Sequence, residues 1–453
     1  MPVTIQVALT ALLTLPLNLA TMWDHVATAR LAARVKAMRD AGEPTTMVEL
    51  AKTYPDPPKG QNAAPLFNQA FKLMKERGDD DADHLPIVGT VKLPAADDDF
   101  PPDMLAAIQD YLRGNAAILD LLRKGAERQG CKFDLNFEAG PGMLLPHLSS
   151  MRQGARLFAL EAIVRTETGK PDAAAESLRT AFRLGHALRR EPVLITALVR
   201  VACDAIAVGQ VQRWASRSAP SPKALLRVEQ ALRAEADPTF LKQVFLGERC
   251  FGMDIYQTYV LKPGGPNITQ MMGANDPHAE MILRLVPRAY FKSDMVNYID
   301  LMNTYVDATR KPYPESFVAG GRVGRELEKK FTTTPARFYI VSSMIMPALG
   351  RVFTVSQRHM AQLDSARTAL AALRYKAAHK RLPDTLDALV PDFIEAVPPD
   401  PFNGKPLRYR KEAGGFVVYA LGENGTDDAG DIDRVHGKHP DVGFRVRVPK
   451  AQF

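Results

Sequence analysis

The stretch from residue 382 to residue 428 determines the fold that is predicted for the C-terminal part of this chain. It opens with LPDTL at 382–386, continues with DPFNGKPLRY at 400–409 and reaches YALGENGTDD at 419–428. Proline disfavours helical geometry in the residue before it, so Leu382 ends any preceding helix. Beyond it, strand-forming residues are bounded by Gly, Asn and Asp, which is typical of a hairpin followed by a polar loop.

A long helix is predicted upstream of this stretch, from about Ala348 to His379. Apolar residues recur there every three or four positions from Leu363 to Ala377, which gives the helix one apolar face. A short helical turn is predicted after Pro383, ending at Leu389.

Three strands are predicted after the turn. Residues 405–410 and 415–421 read as a hairpin joined by KEAG at 411–414. Phe444, Val446 and Val448 alternate with Arg445 and Arg447, which indicates a third strand with one apolar face. Three strands packed on one helix are enough to bury a small core.

This order of elements resembles the globular head of the major pseudopilin of type II secretion systems. The likeness covers about residues 350–435 and rests on the Leu-Pro turn, the Asp-Pro corner at 400–406, the hairpin and the Gly/Asp loop. The resemblance implies a small α+β domain, a long helix plus a three-stranded antiparallel sheet, with a structural rather than an enzymatic role.

The resemblance also implies a calcium site, because pseudopilins bind calcium in the loop that here spans 421–433. Carried over by position, the ligands are the Leu421 carbonyl and the side chains of Asn424, Asp427, Asp428 and Asp431. Closely spaced Asp and Asn supply the hard oxygen ligands that calcium prefers. The loop is shorter than in the family, and Asn424 stands where an acidic residue is usual. The alternative is an Asx-rich turn that satisfies its own backbone.

The start of the chain departs from the family. Pseudopilins carry a Gly-Phe-[ST]-Leu-x-Glu processing site before their apolar helix, and residues 1–17 contain nothing like it. We therefore expect that this chain is not processed and polymerised as a pseudopilin. Its head follows a large helical body instead.

The body, residues 23–347, is predicted to be mainly α, an irregular set of helices separated by Pro, Gly and Asp. Residues 151–190 form the clearest helical hairpin, with GKPD at 169–172 as its turn, and resemble one tetratricopeptide repeat. Such repeats need stacked neighbours to bury their faces. An irregular helical body with surface for a protein partner is the prediction, and the head, residues 348–453, follows it.

Composition excludes several classes of function. The chain has 453 residues, 46% of them hydrophobic and 24% charged, and a formal net charge of +7. The Lys and Arg residues are dispersed without interleaved aromatics, so nucleic-acid binding is not expected. Cys131, Cys203 and Cys250 show no CxxC or Cys/His spacing, which argues against a metal–thiolate site. Pairing of Cys131 with Cys250 stays open.

The N-terminal segment, residues 1–22, carries no charged side chain before Asp24 and approaches the ~20 residues that span a bilayer. A membrane anchor, a secretory signal and a buried first helix are the three interpretations. Basic residues follow the segment and none precedes it, which by the positive-inside rule would keep the body in the cytoplasm. The head resemblance favours export. We predict a bacterial envelope protein, anchored in the inner membrane with a periplasmic body. A segment packed in the core would instead indicate a cytoplasmic helical scaffold.

No catalytic motif is found. HExxH, GxSxG, Walker and Rossmann glycine patterns do not occur in the sequence. The prediction is a non-enzymatic protein with a structural or protein-interaction role, no catalytic residues, no small-molecule substrate and calcium as the single cofactor. The alternative is an envelope hydrolase whose site lies in the helical body, because catalytic groups are assembled in space from distant residues.

Overall fold

The computed structural model describes residues 17–77, 82–96, 98–262, 286–333, 340–433 and 440–447. The protein is mainly helical (64%), and a small three-stranded antiparallel sheet lies near the C-terminus. This confirms the predicted fold class at that level of detail. The N-terminal segment falls largely outside the described residues.

The described residues form a succession of helices that differ widely in the length of their connections. They are α1 Leu17–Asp40, α2 Met47–Ala51, α3 Ala64–Arg77, α4 Pro102–Gly114, α5 Ala116–Ala126, α6 His147–Glu167, α7 Pro171–Ala187, α8 Leu194–Arg217, α9 Pro222–Glu235, α10 Phe240–Ile255, α11 Arg288–Thr309, α12 Glu315–Thr333 and α13 Ile340–His379. Shorter turns lie at Phe137–Gly142, Tyr256–Val260 and Leu386–Leu389.

Helices α6 and α7 form the predicted hairpin at the centre of the body. Gly169 makes the turn with a φ of +70°, a conformation that glycine adopts without steric cost. Pro171 starts α7, where its missing N–H and fixed φ cost nothing. The Trp214 indole of α8 donates to the Pro171 carbonyl at 2.9 Å. This bond fixes α8 against the hairpin.

The described helices bury two larger hydrophobic cores. The first contains residues of α3 to α9, the C-terminal half of α13 and the sheet. The second lies between α1, α10, α11, α12 and the N-terminal half of α13. Its centre is a stack of Phe245, Tyr305 and Phe353, whose ring centroids lie 4.9 to 5.7 Å apart. Helix α13, at 40 residues, contributes to both cores.

Helix α13 begins at Ile340, eight residues before the predicted start near Ala348. The buried Asp294 carboxylate of α11 accepts the backbone N–H of Val341 at 2.8 Å and the Ser342 hydroxyl at 2.6 Å. A carboxylate at a helix N-terminus satisfies free N–H groups and complements the helix dipole. Because this cap comes from another helix, the local sequence did not reveal it.

The sheet has the order β1–β2–β3, with strands Arg408–Glu412, Gly415–Ala420 and Val442–Arg447. Both pairings are antiparallel. Strand β2 is central and buried throughout, and β2 and β3 pack on α13. The three strands confirm the predicted sheet. The first starts three residues later than predicted, and the third starts two residues earlier.

The head and the body share one hydrophobic core. Leu178 and Leu232 of the body are buried in the same cluster as Leu370, Phe416 and Phe444 of the head. Strand β3 also contacts α8, where the Ser216 hydroxyl accepts the Arg447 N–H at 3.2 Å. The division into residues 23–347 and 348–453 stays a prediction. In the structure, α13 runs across that boundary, and the sheet lies against the body.

Among the described helices, α8 alone has the length and hydropathy to cross a membrane, a test that core helices also pass. Half of its most apolar window is buried in the protein, and its Arg200 and Asp204 are buried too. Helix α1 starts at Leu17 and packs on α11, where Trp23 donates to Ser293 and Lys292 pairs with Asp24.

Candidate functional site

The predicted calcium loop connects β2 to β3. Leu421 is buried at the end of β2, and the side chains of Asn424, Asp427, Asp428 and Asp431 are exposed. The loop therefore presents carboxylates to solvent. We refer to residues 421–433 as the acidic loop.

Each Asn and Asp side chain of the acidic loop already accepts at least one hydrogen bond within the head. The Asn424 amide donates to Asp428 at 3.0 Å, and its oxygen accepts the Thr426 N–H at 3.0 Å. Asp431 accepts the N–H of Asp433 at 3.1 Å. These are Asx-type turns. Among the described residues, no three His, Cys, Asp or Glu side chains converge as a metal ligand set.

Asp427 points towards the sheet. Its carboxylate accepts the Tyr419 hydroxyl at 3.1 Å and lies 3.1 Å from Arg408 Nε. The structure thus brings Asn424 and Asp428 together, and it directs Asp427 and Asp431 to other partners.

Asp441 is a residue of this region that the sequence analysis missed. It is 1% exposed, and its Oδ2 accepts the Gly430 N–H at 2.8 Å, while its Oδ1 accepts no hydrogen bond from a described residue. Burial raises the pKa of Asp441, and the charges of Asp427 and Asp428 raise it further. A buried orphaned oxygen close to two carboxylates is the one feature here that fits a bound cation.

Asp400, in the Asp-Pro corner, holds the head together. Its buried carboxylate accepts the N–H of Phe402 at 2.7 Å, the N–H of Leu421 at 2.8 Å and the Asn403 amide at 3.1 Å. These bonds join the corner to the start of the acidic loop. The corner motif quoted from the sequence is therefore structural in this chain.

A cleft of about 860 Å³ opens on the helical body between α3, the segment after α5 and the start of α6. We call it the basic cleft. Four basic side chains and one carboxylate line it: Lys72, Lys75, Arg152, Arg156 and Asp134. Apolar side chains share the lining: Phe71, Met74, Phe133, Leu135, Leu144 and Pro146. The cleft suits an anionic ligand that also carries apolar groups.

His147 lines the basic cleft and has a buried partner behind it. Its Nε2 lies 3.1 Å from Glu191 Oε2, and Thr196 donates to the other oxygen of Glu191. The Phe133 ring stacks on the imidazole with centroids 4.2 Å apart. No described residue hydrogen-bonds to Nδ1, and Nδ1 is not among the buried atoms that lack a partner, so it is the ring nitrogen available to the cleft.

A chain of buried charges runs through the centre of the protein, and we call it the ion-pair chain. His359 of α13 lies 3.2 Å from Asp204 of α8, and Arg200 lies 4.0 Å from the same carboxylate. Arg200 pairs with Glu235 of α9 at 3.1 Å, and Glu235 Oε1 lies 2.7 Å from His186 Nδ1 of α7. Burial, then the charge of Glu235, raise the pKa of Asp204 to about 6.

The comparisons with known proteins give no relative. No protein-family model matches the chain. Neither the curated proteins nor the solved structures contain a significant match to it.

Proposed function

We propose that this protein is a non-enzymatic component of the bacterial cell envelope whose helical body binds a partner protein through the basic cleft. One observation carries the proposal. The cleft joins an apolar floor to four basic side chains, three of which have no partner among the described residues, and this is the composition of a docking site for an acidic, partly apolar segment.

The charges of the cleft select the partner. The side chains of Arg152, Arg156 and Lys75 make no hydrogen bond or ion pair with any described residue. Arginine is enriched at interfaces because its planar group binds carboxylates bidentately and packs on apolar surface. Leu144 is 83% exposed at the edge of the cleft. Exposed apolar surface beside unpaired cations favours a segment that carries both Asp or Glu and large apolar side chains.

The head belongs to the same proposal as a pseudopilin-like module that binds calcium. The motifs at 382–386, 400–409 and 419–428 support it, together with the orphaned oxygen of Asp441. Anchoring through residues 1–22 and a periplasmic body are part of the proposal. Because β3 packs on α8 and the cores are continuous, the head acts as a fixed part of the body.

Fluorescence polarisation with the full chain tests the docking site. The probe is a labelled acidic peptide with Glu and Leu in amphipathic order. We expect saturable binding that Arg156→Gln and Leu144→Asp each weaken about tenfold, since each removes a direct contact. Arg113→Gln is the charge-matched control, because Arg113 is an exposed arginine that pairs with Asp110 on its own helix. Equal weakening by Arg113→Gln, or binding that Leu144→Asp leaves unchanged, would refute the docking site.

A hydrolase is the second candidate function, and His147 is the observation that favours it. A histidine with a buried carboxylate on one nitrogen and an open second nitrogen has the arrangement of a general base. The serine nearest in sequence, Ser149, donates to the Pro146 carbonyl at 3.2 Å. No described side chain donates to His147 Nδ1. The structure therefore offers a base without an aligned nucleophile.

Ester hydrolysis separates the two functions. The full chain is assayed with p-nitrophenyl acetate beside His147→Ala and Glu191→Gln, with folding checked by circular dichroism. A non-enzymatic protein shows the same background rate in all three. A rate that falls about a hundredfold in His147→Ala would establish general-base catalysis and displace the binding proposal.

A further inference from the structure

We propose that a second cavity, between α7, α9 and the segment that follows α5, binds the phosphate group of a small phosphorylated molecule. The cavity measures about 400 Å³. Five arginines line it: Arg128, Arg179, Arg183, Arg189 and Arg227. We call it the arginine cavity. It lies apart from the basic cleft, and its lining shares no residue with that cleft.

Three of the five arginines are held in place by neighbouring carboxylates. Arg179 pairs with Glu127 at 2.6 Å and with Glu176 at 3.0 Å. Arg183 pairs with Glu127, and Arg227 pairs with Glu176. These pairs fix the guanidinium groups around the cavity, so a ligand would not have to order them.

Arg189 is different, because its side chain makes no hydrogen bond or ion pair with any described residue. It is half-buried, and burial, then the adjacent Arg190, lower its pKa. A guanidinium has five N–H donors, and removing them from water without acceptors is unfavourable. Arg128 uses one donor on the Gly60 carbonyl at 3.0 Å. The cavity thus holds arginine donors that lack acceptors.

The dipole at the C-terminus of α7 explains only part of the positive charge of the arginine cavity. Arg189 follows the last turn of that helix, where a cation is favoured by the helix dipole. That effect does not explain why Arg128 and Arg227, from other segments, face the same space. Among the described residues that line the cavity, Glu235 is the one carboxylate, and it is already engaged by Arg200 and His186.

A phosphate group supplies oxygen acceptors for the arginine N–H donors of the cavity. Arginine binds phosphate oxygens bidentately, and such charge-assisted bonds are about twice as strong as neutral ones. The amide side chains of Gln129 and Gln230 line the same cavity and offer further donors. A volume of about 400 Å³ is in the range of small-molecule sites, so the phosphate is expected to carry an attached group.

Isothermal titration of the full chain at constant ionic strength tests the site, with pyrophosphate, inorganic phosphate and sulfate as probes. We expect saturable binding, tightest for pyrophosphate. Arg189→Gln should weaken it at least about tenfold, because it removes a charged fork from the ligand. Arg190→Gln is the matched control: it removes the same charge from the exposed neighbour and should change the affinity by less than about twofold.

The free protein gives an independent readout. Because the Arg189 side chain has no partner among the described residues, Arg189→Gln should leave the melting temperature unchanged or raise it, which shows that lost binding is not unfolding. If Arg189→Gln fails to fold, Arg128→Gln carries the same expectation of weaker binding. Equal loss in Arg189→Gln and Arg190→Gln, or no saturable pyrophosphate binding at millimolar concentration, would overturn the proposal.

Discussion

The ion-pair chain and the acidic loop are both rich in charge, and they use it in opposite ways. In the ion-pair chain, Arg200, Asp204 and Glu235 are at most 2% exposed and come from separate turns and helices. In the acidic loop, Asn424, Asp428 and Asp431 are exposed and bond mostly to neighbours within four residues.

The difference shows where charge determines stability in this protein. A buried charge that loses its partner stays in a medium of low dielectric, whereas an exposed one returns to water. The acidic loop attracts attention in the sequence because its charges are adjacent. The ion-pair chain does not, because its members are spread from His186 to His359 and meet only after folding.

Arg200→Met should cause the largest loss of stability, because it removes a buried charge from the ion-pair chain. It leaves the Glu235 and Asp204 carboxylates buried without their cation and removes the guanidinium from the Phe240 ring, 4.9 Å away. We expect the free energy of unfolding to fall by about 3–5 kcal/mol, the usual cost of breaking a buried pair. Urea unfolding of the full chain measures it.

The matched control is Arg34→Met, which breaks the exposed pair with Asp300 on α11. That pair should contribute only about 0–1 kcal/mol, because solvent screens it. A double variant, Arg200→Met with Glu235→Gln, should recover part of the loss, since no lone carboxylate then remains at Glu235. If Arg200→Met and Arg34→Met lower the free energy of unfolding equally, buried charge is no more important for stability than exposed charge in this protein.

The second effect concerns Asp400, a buried carboxylate in the head itself. Asp400→Ala removes the acceptor from the N–H groups of Phe402 and Leu421. We expect a loss of about 2–4 kcal/mol, because buried donors without acceptors are costly. Asp384→Ala, at an exposed position close by in sequence, should cost clearly less by the same denaturation. The reverse order would show that burial does not decide the role of charge in the head.

The third effect is a pH dependence at Asp204. Its pKa is about 6 in the folded protein, raised chiefly by burial, against about 4 in an unfolded chain. Between these values the folded state binds a proton that the unfolded state does not, so this contribution to stability grows as the pH falls from 6 to 4. Groups that face Asp204 are Arg200 on its own helix, Glu235 on α9 and His359 on α13.

Asp204→Asn cannot take up this proton. The free energy of unfolding of the native protein, minus that of Asp204→Asn, should therefore rise by about 1–2 kcal/mol between pH 7 and pH 4. Urea unfolding at pH 7, 6, 5 and 4 measures the difference, which removes the contribution of all other titrating groups. A difference that stays flat or falls would contradict the assignment.

Local patterns in the sequence predicted the elements that local forces determine. Gly169 and Pro171 mark the turn of the α6–α7 hairpin, and the alternation of Phe444 and Val446 marks β3. The cap that Asp294 provides for α13 was missed, because it joins residues 47 positions apart. At Gly185, an added Cβ would lie 2.6 Å from Asp204 Oδ1, so this glycine leaves space for a carboxylate. Only the folded structure reveals that reason.

The same limit applies to the candidate sites. The acidic loop could be proposed from the sequence because its residues are contiguous. The basic cleft and the arginine cavity could not, because each joins segments that are distant in the chain. Asp441 was missed because it lies outside the contiguous loop, 11 residues after its partner Gly430. The unpaired arginines of these cavities look like ordinary surface charges on amphipathic helices until their neighbours are known.

The smallest expected effect is that of Asp428→Ala in the presence of a chelator. Asp428 is exposed, and its carboxylate accepts only the Asn424 amide among the hydrogen bonds of the described residues. Substitutions of this kind change the free energy of unfolding by about 0.5 kcal/mol or less. The measurement is thermal unfolding of the full chain, because the head shares its core with the body. If Asp428→Ala lowers stability as much as Asp400→Ala, exposed and buried charges do not differ in their contribution to stability.

Thermal unfolding in excess calcium tests the proposed ion site with the same variant. A ligand that binds only the folded state raises the melting temperature by mass action. Calcium should therefore raise the melting temperature of the native protein and of the control variant Asp384→Ala. Asp428→Ala and Asp441→Asn should each abolish this rise. If calcium has no effect on the native protein, the proposed calcium site is wrong. The acidic loop is then a self-satisfied turn, and the contrast with the ion-pair chain holds without any metal.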